Sequence, residues 1–208
     1  MTLIVRNEPP FEAKREAFDY QAEAVRSVRD LPYAAIFHEQ GLGKTKIAID
    51  IILYWLQTGA VDTVLLVTKK MLVANWQREL KQHSHLSPRI LSDDRNQNFF
   101  TLNSPTRIVL TNFETVRTEA RRLALFQRTR KVAVVLDESA KIKNPTADLT
   151  KAFFSIAQGF VRRLILTGTP VANRPHDIWS QIYFLDQGAS LGRSFAMFES
   201  QLDLSNDL

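Results

Sequence analysis

The 208-residue sequence contains no cysteine, which excludes a disulfide framework and every thiolate metal site. Histidine is scarce as well. Of its four copies only His83 and His85 are close together, and their i,i+2 spacing beside Ser84 reads as a solvated helix end, not a metal pair. Long apolar runs are missing: the stretch from Leu3 to Val5 stops at Arg6, too short for a signal-peptide core or a membrane span. No repeat or low-complexity segment is visible. The expectation is a cytoplasmic (or nucleoid-associated) protein with no membrane partner. Hydrophobic residues make up 45% and charged residues 24%, so the chain can bury a core and lies far from the composition of disorder. Its length favours one core with appended segments.

The formal net charge is +5, and the excess is uneven. Between Arg107 and Arg163 there are twelve Lys and Arg against five Asp and Glu. Such a segment fits a polyanionic partner, and it equally fits a solvated basic face.

Apolar runs of strand length alternate with segments of helical period. The strands are expected at Tyr33 to Phe37, Thr63 to Thr68, Arg107 to Thr111, Val132 to Leu136 and Leu164 to Thr167. Val64 to Val67 and Val132 to Leu136 show no polar alternation, as strands buried on both faces do. Helices are expected at Lys44 to Leu56, Met71 to Gln82, Glu114 to Phe126 and Ala147 to Ala157. Repeated β-α units of this kind imply an α/β fold: a parallel, doubly wound sheet with helices on both faces. Ligands of such sheets bind beyond the carboxyl ends of the strands. The polar stretch from Ser92 to Pro105 reads as a surface loop or small insertion. Residues 1–187 are taken as one lobe. Residues 188–208, anchored by Phe195 and Phe198, are taken as a tail or the start of a linker.

Gly41, Leu42, Gly43, Lys44 and Thr45 follow an expected strand and open an expected helix. In that context a glycine-rich string becomes a phosphate site, because its backbone N–H groups curl around one anion at a helix N-terminus. Lys44 is placed to reach the β and γ phosphates of ATP, and the Thr45 hydroxyl to ligate Mg. The strict eight-residue pattern fails at one place, where His38 stands instead of glycine. Asp137 and Glu138 end the run Val132 to Leu136. Two adjacent carboxylates at the end of an apolar strand repel each other unless a cation neutralises them. Asp137 suits Mg, most simply through water, and Glu138 suits orientation or deprotonation of an attacking water.

The string DESAKIKNP from Asp137 to Pro145 resembles the acidic box of the Swi/Snf-type DNA-translocating ATPases, a branch of the superfamily-two helicases. Leu164 to Asp186 resembles the third motif of that family and the helix after it. Val67 to Leu80, with Asn75, Trp76, Gln77, Arg78 and Glu79, is similar to its motif Ia region. Phe18 to Gln21 resembles its adenine-recognising Q motif, and Thr111 to Thr115 a DNA-proximal motif. The resemblance implies a RecA-like P-loop NTPase lobe. It implies that Gln21 reads the adenine edge and that Thr167, Gly168 and Thr169 couple the nucleotide site to nucleic-acid grip. Lys69, Lys70, Asn112 and Asn173 would meet the phosphate backbone of DNA, double-stranded by analogy with the family. Three departures stand out: Ala140 replaces the usual His, and Lys69 and Met71 replace the usual Pro and Ser.

The same resemblance implies a second RecA-like lobe, in cis or in trans, carrying arginine fingers. The rivals are a strand-separating helicase or restriction-type motor subunit, and a non-catalytic nucleotide-gated DNA-binding module. An arginine finger is worth about 10³- to 10⁵-fold in rate in related phosphoryl-transfer enzymes. The 208-residue chain alone is therefore expected to bind ATP and Mg weakly and to hydrolyse ATP slowly. Phosphate release with duplex DNA checks this; turnover at the rate of an intact translocase would contradict it.

Overall fold

A computed structural model of the chain describes residues 7–171 and 174–202. Six strands run at β1 Tyr33–Ile36, β2 Thr63–Thr68, β3 Arg89–Ile90, β4 Ile108–Asn112, β5 Val132–Asp137 and β6 Arg162–Leu166. Eight α-helices accompany them: α1 Asp19–Val28, α2 Lys44–Gln57, α3 Val73–His83, α4 Arg95–Asn103, α5 Phe113–Thr129, α6 Asp148–Ala157, α7 Trp179–Asp186 and α8 Phe195–Leu202. All strand pairs are parallel, in the order β1-β6-β5-β2-β4-β3. This is the doubly wound α/β sheet expected from the alternating pattern.

Because side chains alternate across a strand, β5 divides its residues between two cores. Ala133 and Val135 join Val64, Leu66 and Leu164 beneath α2 and α3, where Ile47, Ile51, Trp76 and Leu80 cover them. Val132, Val134 and Leu136 face the other way, onto Phe113, Val116 and Phe126 of α5, Phe153 of α6 and Phe184 of α7. The rings of Phe113, Phe153 and Phe184 form a chain with centroid separations of 5.4 and 6.0 Å. Val64 to Val67 and Val132 to Leu136 therefore read as unbroken apolar runs because both faces of β2 and β5 are covered, whereas β1 is fully buried only at Ile36.

Register sets the level at which the strands end. Thr68 pairs with Asn112, Val67 with Leu136, and Asp137 with Leu166, so one rim of the sheet gathers the ends of β2, β4, β5 and β6. Among the described residues no helix is long and apolar enough to cross a membrane.

Three segments sharpen or change the sequence-based expectation. The Ser92 to Pro105 stretch holds α4 instead of a loop, capped by Asp94, whose carboxylate accepts from the N–H groups of Asn96 and Gln97 at 2.9 and 3.1 Å. Its buried side includes Asn98, which bonds Ser92 on both its donor and acceptor sides, so a polar residue performs the packing that an apolar one would signal. The tail, for which a docking helix anchored by Phe195 is one of the two expected forms, contains α8, whose Phe195 ring lies 5.5 Å from Trp179 and 5.6 Å from His176. Strand β6 begins two residues before the expected Leu164, at Arg162. Arg162 donates to the carbonyl of Asp30 and Arg163 to those of Leu185 and Ala157, which lets charged residues open a buried strand.

Phe153 is fully buried at the centre of the aromatic chain. Its replacement by Ala should cost about 3–5 kcal/mol of stability. A lower urea midpoint at unchanged slope, followed by circular dichroism, is the expected result.

Candidate functional site

Between β1 and α2 the chain needs two backbone conformations that disfavour a side chain. Gly41 has φ +87° and Gly43 has φ +67°, and Gly43 is the residue that caps α2. A Cβ on Gly43 would also lie 2.2 Å from Nε2 of Gln21. Gln21 is buried; its Oε1 accepts from the N–H of Phe18 at 3.0 Å, which fixes the start of α1 against the loop. Lys44 turns back into the loop, its Nζ donating to the carbonyls of His38 and Glu39 at 2.8 and 2.9 Å. His38 thus contributes its backbone, while its buried Nδ1 finds no partner among the described residues.

The loop borders a cleft of about 580 Å³. Phe18, Tyr20 and Gln21 line one side; Gly41, Gly43, Lys44 and Thr45 form the floor; Trp76, Asp137 and Glu138 stand opposite. Phe18 and Tyr20 stack at 6.0 Å and remain exposed, an aromatic surface at the mouth of the cleft. Gly168 reaches the same loop from β6: a Cβ there would sit 3.5 Å from Lys44 Nζ and from the His38 carbonyl. Phosphate loop, acidic pair and third motif, far apart in sequence, therefore meet in space.

Asp137 is held with unusual specificity. Its Oδ2 accepts from the indole N–H of Trp76 at 2.7 Å and from the Thr68 hydroxyl at 3.0 Å, while Oδ1 accepts no hydrogen bond among the described residues. Burial pushes its carboxyl above the ordinary value of 3.8; the Trp76 and Thr68 bonds and the Lys44 charge oppose that rise, and the Glu138 charge adds to it. Trp76 and Thr68 were not legible as site residues. A tryptophan amid the polar residues of α3 hints that its indole needs a partner, but that partner lies on another strand.

Asp137 Oδ1 and the Thr45 hydroxyl are hard oxygen donors on one cleft wall and the floor. This donor set fits Mg, which prefers one or two protein oxygens completed by phosphates and water. Among the described residues no cluster of three or more His, Asp or Glu forms a dedicated cage.

Glu138 adopts a left-handed backbone, φ +61°, and its carboxylate pairs with Lys69 Nζ at 3.1 Å. Lys70 pairs with Asp93 at 2.9 Å. Asn112 is buried and spends its side-chain oxygen on the N–H of Thr115, as the N-cap of α5. Asn173 lies outside the described residues. Thr167 is buried and accepts the N–H of Thr169 at 3.1 Å, which folds the third motif into a tight turn. The side chain of His83, expected at a solvated helix end, is only 13% exposed; it lines the cleft beside Glu79, and burial lowers its pKa. Ala140 removes one hydrogen-bonding position, yet the acidic box still reaches the third motif. The Ser139 hydroxyl donates to Gln181 Oε1 at 2.7 Å, and Gln181 Nε2 donates to the Pro170 carbonyl at 2.8 Å.

A sequence profile of the SNF2-related domain matches residues 20–206. The chain belongs to the SNF2-related domain family. Among curated proteins it is 27% identical over 197 residues to the ISWI chromatin-remodeling complex ATPase ISW2 of Saccharomyces cerevisiae, covering 88% of this chain and 17% of that protein. It is 31% identical over 176 residues to an uncharacterized ATP-dependent helicase of Mycoplasma genitalium, covering 80% and 16%. The SNF2-related chain thus spans less than a fifth of the length of these relatives. Its fold is that of the Sulfolobus solfataricus SWI2/SNF2 ATPase core solved with double-stranded DNA: TM-score 0.75, 24% identity, 94% of this chain and 41% of that one. The RecA-like lobe expected from the motifs is the observed architecture.

The raised Asp137 pKa has a thermodynamic sign. The carboxyl's contribution to stability is complete below the unfolded value near 3.8 and is lost as pH rises through the higher native value. Without nucleotide, Asp137→Asn is expected to melt above the native chain at pH 7, the gap closing as the buffer is made acidic. In isothermal titration the same variant should lose its Mg-dependent gain in ATP affinity. Equal melting curves at pH 7 and pH 4 would contradict the burial argument.

Proposed function

We propose that this SNF2-related chain is the first RecA-like lobe, residues 1–187, of an ATP-dependent motor that translocates on double-stranded DNA. Residues 188–208 begin the connection to a second lobe, and the complete protein works in the cytoplasm or nucleoid. The carrying observation is the convergence of Lys44, Thr45, Asp137 and Glu138 on one cleft within a family of ATPases.

In this reading the stacked Phe18 and Tyr20 offer a surface for the adenine, and Gln21 presents its amide beside it. The N–H groups from Gly41 to Thr45 receive the phosphates at the start of α2, where the helix dipole also favours negative charge. Lys44 exchanges its two backbone carbonyls for phosphate oxygens, which are stronger acceptors because they are charged. Thr45, and Asp137 through water, would hold Mg, which would supply charge neutralisation on the phosphates. Glu138 orients the attacking water and accepts its proton. A closing second lobe contributes arginines, and hydrolysis releases it.

Coupling follows a physical route. Gly168 lies beside the phosphate loop, close enough that an added Cβ would touch Lys44 and the His38 carbonyl, and the Ser139–Gln181–Pro170 links tie the acidic box to the same turn. A shift of the loop on filling is thereby transmitted to the segment that follows β6.

In the complete protein, Glu138→Gln should retain ATP binding, measured with a fluorescent nucleotide, while DNA-stimulated hydrolysis falls by about 10²- to 10⁴-fold, the usual contribution of a general base. Unchanged hydrolysis would overturn the motor reading. Translocation without strand separation, scored by triplex displacement against duplex unwinding, separates a translocase from a helicase.

A further inference from the structure

Beside the nucleotide cleft, at the ends of β2 and β4, lies a second groove of about 440 Å³ that contains Lys69, Lys70 and Lys141. Three lysines on one groove would suit a nucleic-acid backbone, yet each already has an intramolecular carboxylate. Lys70 pairs with Asp93 at 2.9 Å, Lys141 with Glu114 at 3.4 Å, and Lys69 with Glu138 at 3.1 Å. Asp93 and Glu114 belong to the groove itself. Glu138 belongs to the nucleotide cleft, so the Lys69 pair alone of the three bridges both sites.

We propose that Lys69 is a positioning residue that reports duplex occupancy to the hydrolysis site. Without DNA its ammonium holds the Glu138 carboxylate toward the groove. A backbone phosphate entering the groove takes Lys69, and Glu138 is released to the cleft. Asp93 and Glu114 act as placeholders that yield to phosphate in the same way, without reaching the cleft. The inference rests on the motor reading above.

Two physical features suit this role. The Lys69–Glu138 pair is part exposed, 44% and 23%, and such pairs are weak and exchangeable in water. DNA phosphates, at high linear charge density, are strong competitors for a lysine. Coupling of this kind is reciprocal: whatever frees Lys69 from Glu138 must strengthen DNA binding.

The test uses the complete protein without nucleotide and a fluorescent short duplex, read by anisotropy at fixed salt. Glu138→Gln should tighten duplex binding by about two- to five-fold, the range of exposed ion pairs. In a Lys69→Met background that gain should vanish, whereas Asp93→Asn should tighten binding equally in both backgrounds by freeing Lys70. Lys69→Met should also raise DNA-independent hydrolysis and shrink the stimulation by DNA. The same gain from Glu138→Gln with and without Lys69 would overturn the gate alone. Absence of any duplex binding by the native protein would overturn the motor reading and the gate with it.

Discussion

The cleft is built around one carboxylate held at the end of a buried strand. Asp137 terminates β5, the strand flanked by β2 and β6 in the middle of the sheet, and removal of an ion from water costs several kcal/mol. Trp76 from α3 and Thr68 from β2 offset part of that cost by donating to one oxygen. Hydrogen bonds to a charged group contribute about 1.5–3 kcal/mol each. The second oxygen is left to the cleft. That division fixes the carboxylate's orientation.

The geometry around Asp137 explains why the fold needs its particular register. Thr68 reaches Asp137 because β2 pairs with β5 so that Val67 lies beside Leu136. A one-residue slip would turn every side chain of β2 to the opposite face and carry Thr68 away with them. The two apolar cores forbid the slip, since Leu65 and Val67 belong to one and Val64 and Leu66 to the other. Hydrophobic packing thereby specifies a polar contact. The same register brings β6 level with β5, and Gly168 follows it onto the phosphate loop.

Within the basic excess between Arg107 and Arg163 two roles are distinct. Arg107, Arg130, Arg162 and Arg163 donate to backbone carbonyls and fasten strand starts and helix ends. Arg122 neutralises the buried Glu119. These side chains act inside the fold, as long cationic groups do when their stems cover apolar surface. Lys141, at the other end of the segment, lies at the groove beside the nucleotide cleft. Charge counted along the chain could not make that distinction, because the carbonyls that receive the arginines come from distant elements.

The alternation of strands and helices, the glycine turn before α2 and the acidic pair at a strand end were legible in the chain alone. Those features are local: Val132 to Leu136 are apolar because β5 is covered on both faces, and Gly41 and Gly43 are required by backbone angles within the loop itself. The sequence alone misread α4, where the buried Asn98 and Thr101 supply polar groups at positions that helical patterning expects to be apolar. Only the tertiary structure decided which distant groups meet. It assigned Trp76 and Thr68 to Asp137, Ser139 to Gln181, Asn112 to a helix cap and Lys69 to Glu138. A hydrogen bond or ion pair between elements leaves no periodicity in the chain. It arises when strand register and helix packing, set by apolar burial, carry the two groups to within about 3 Å.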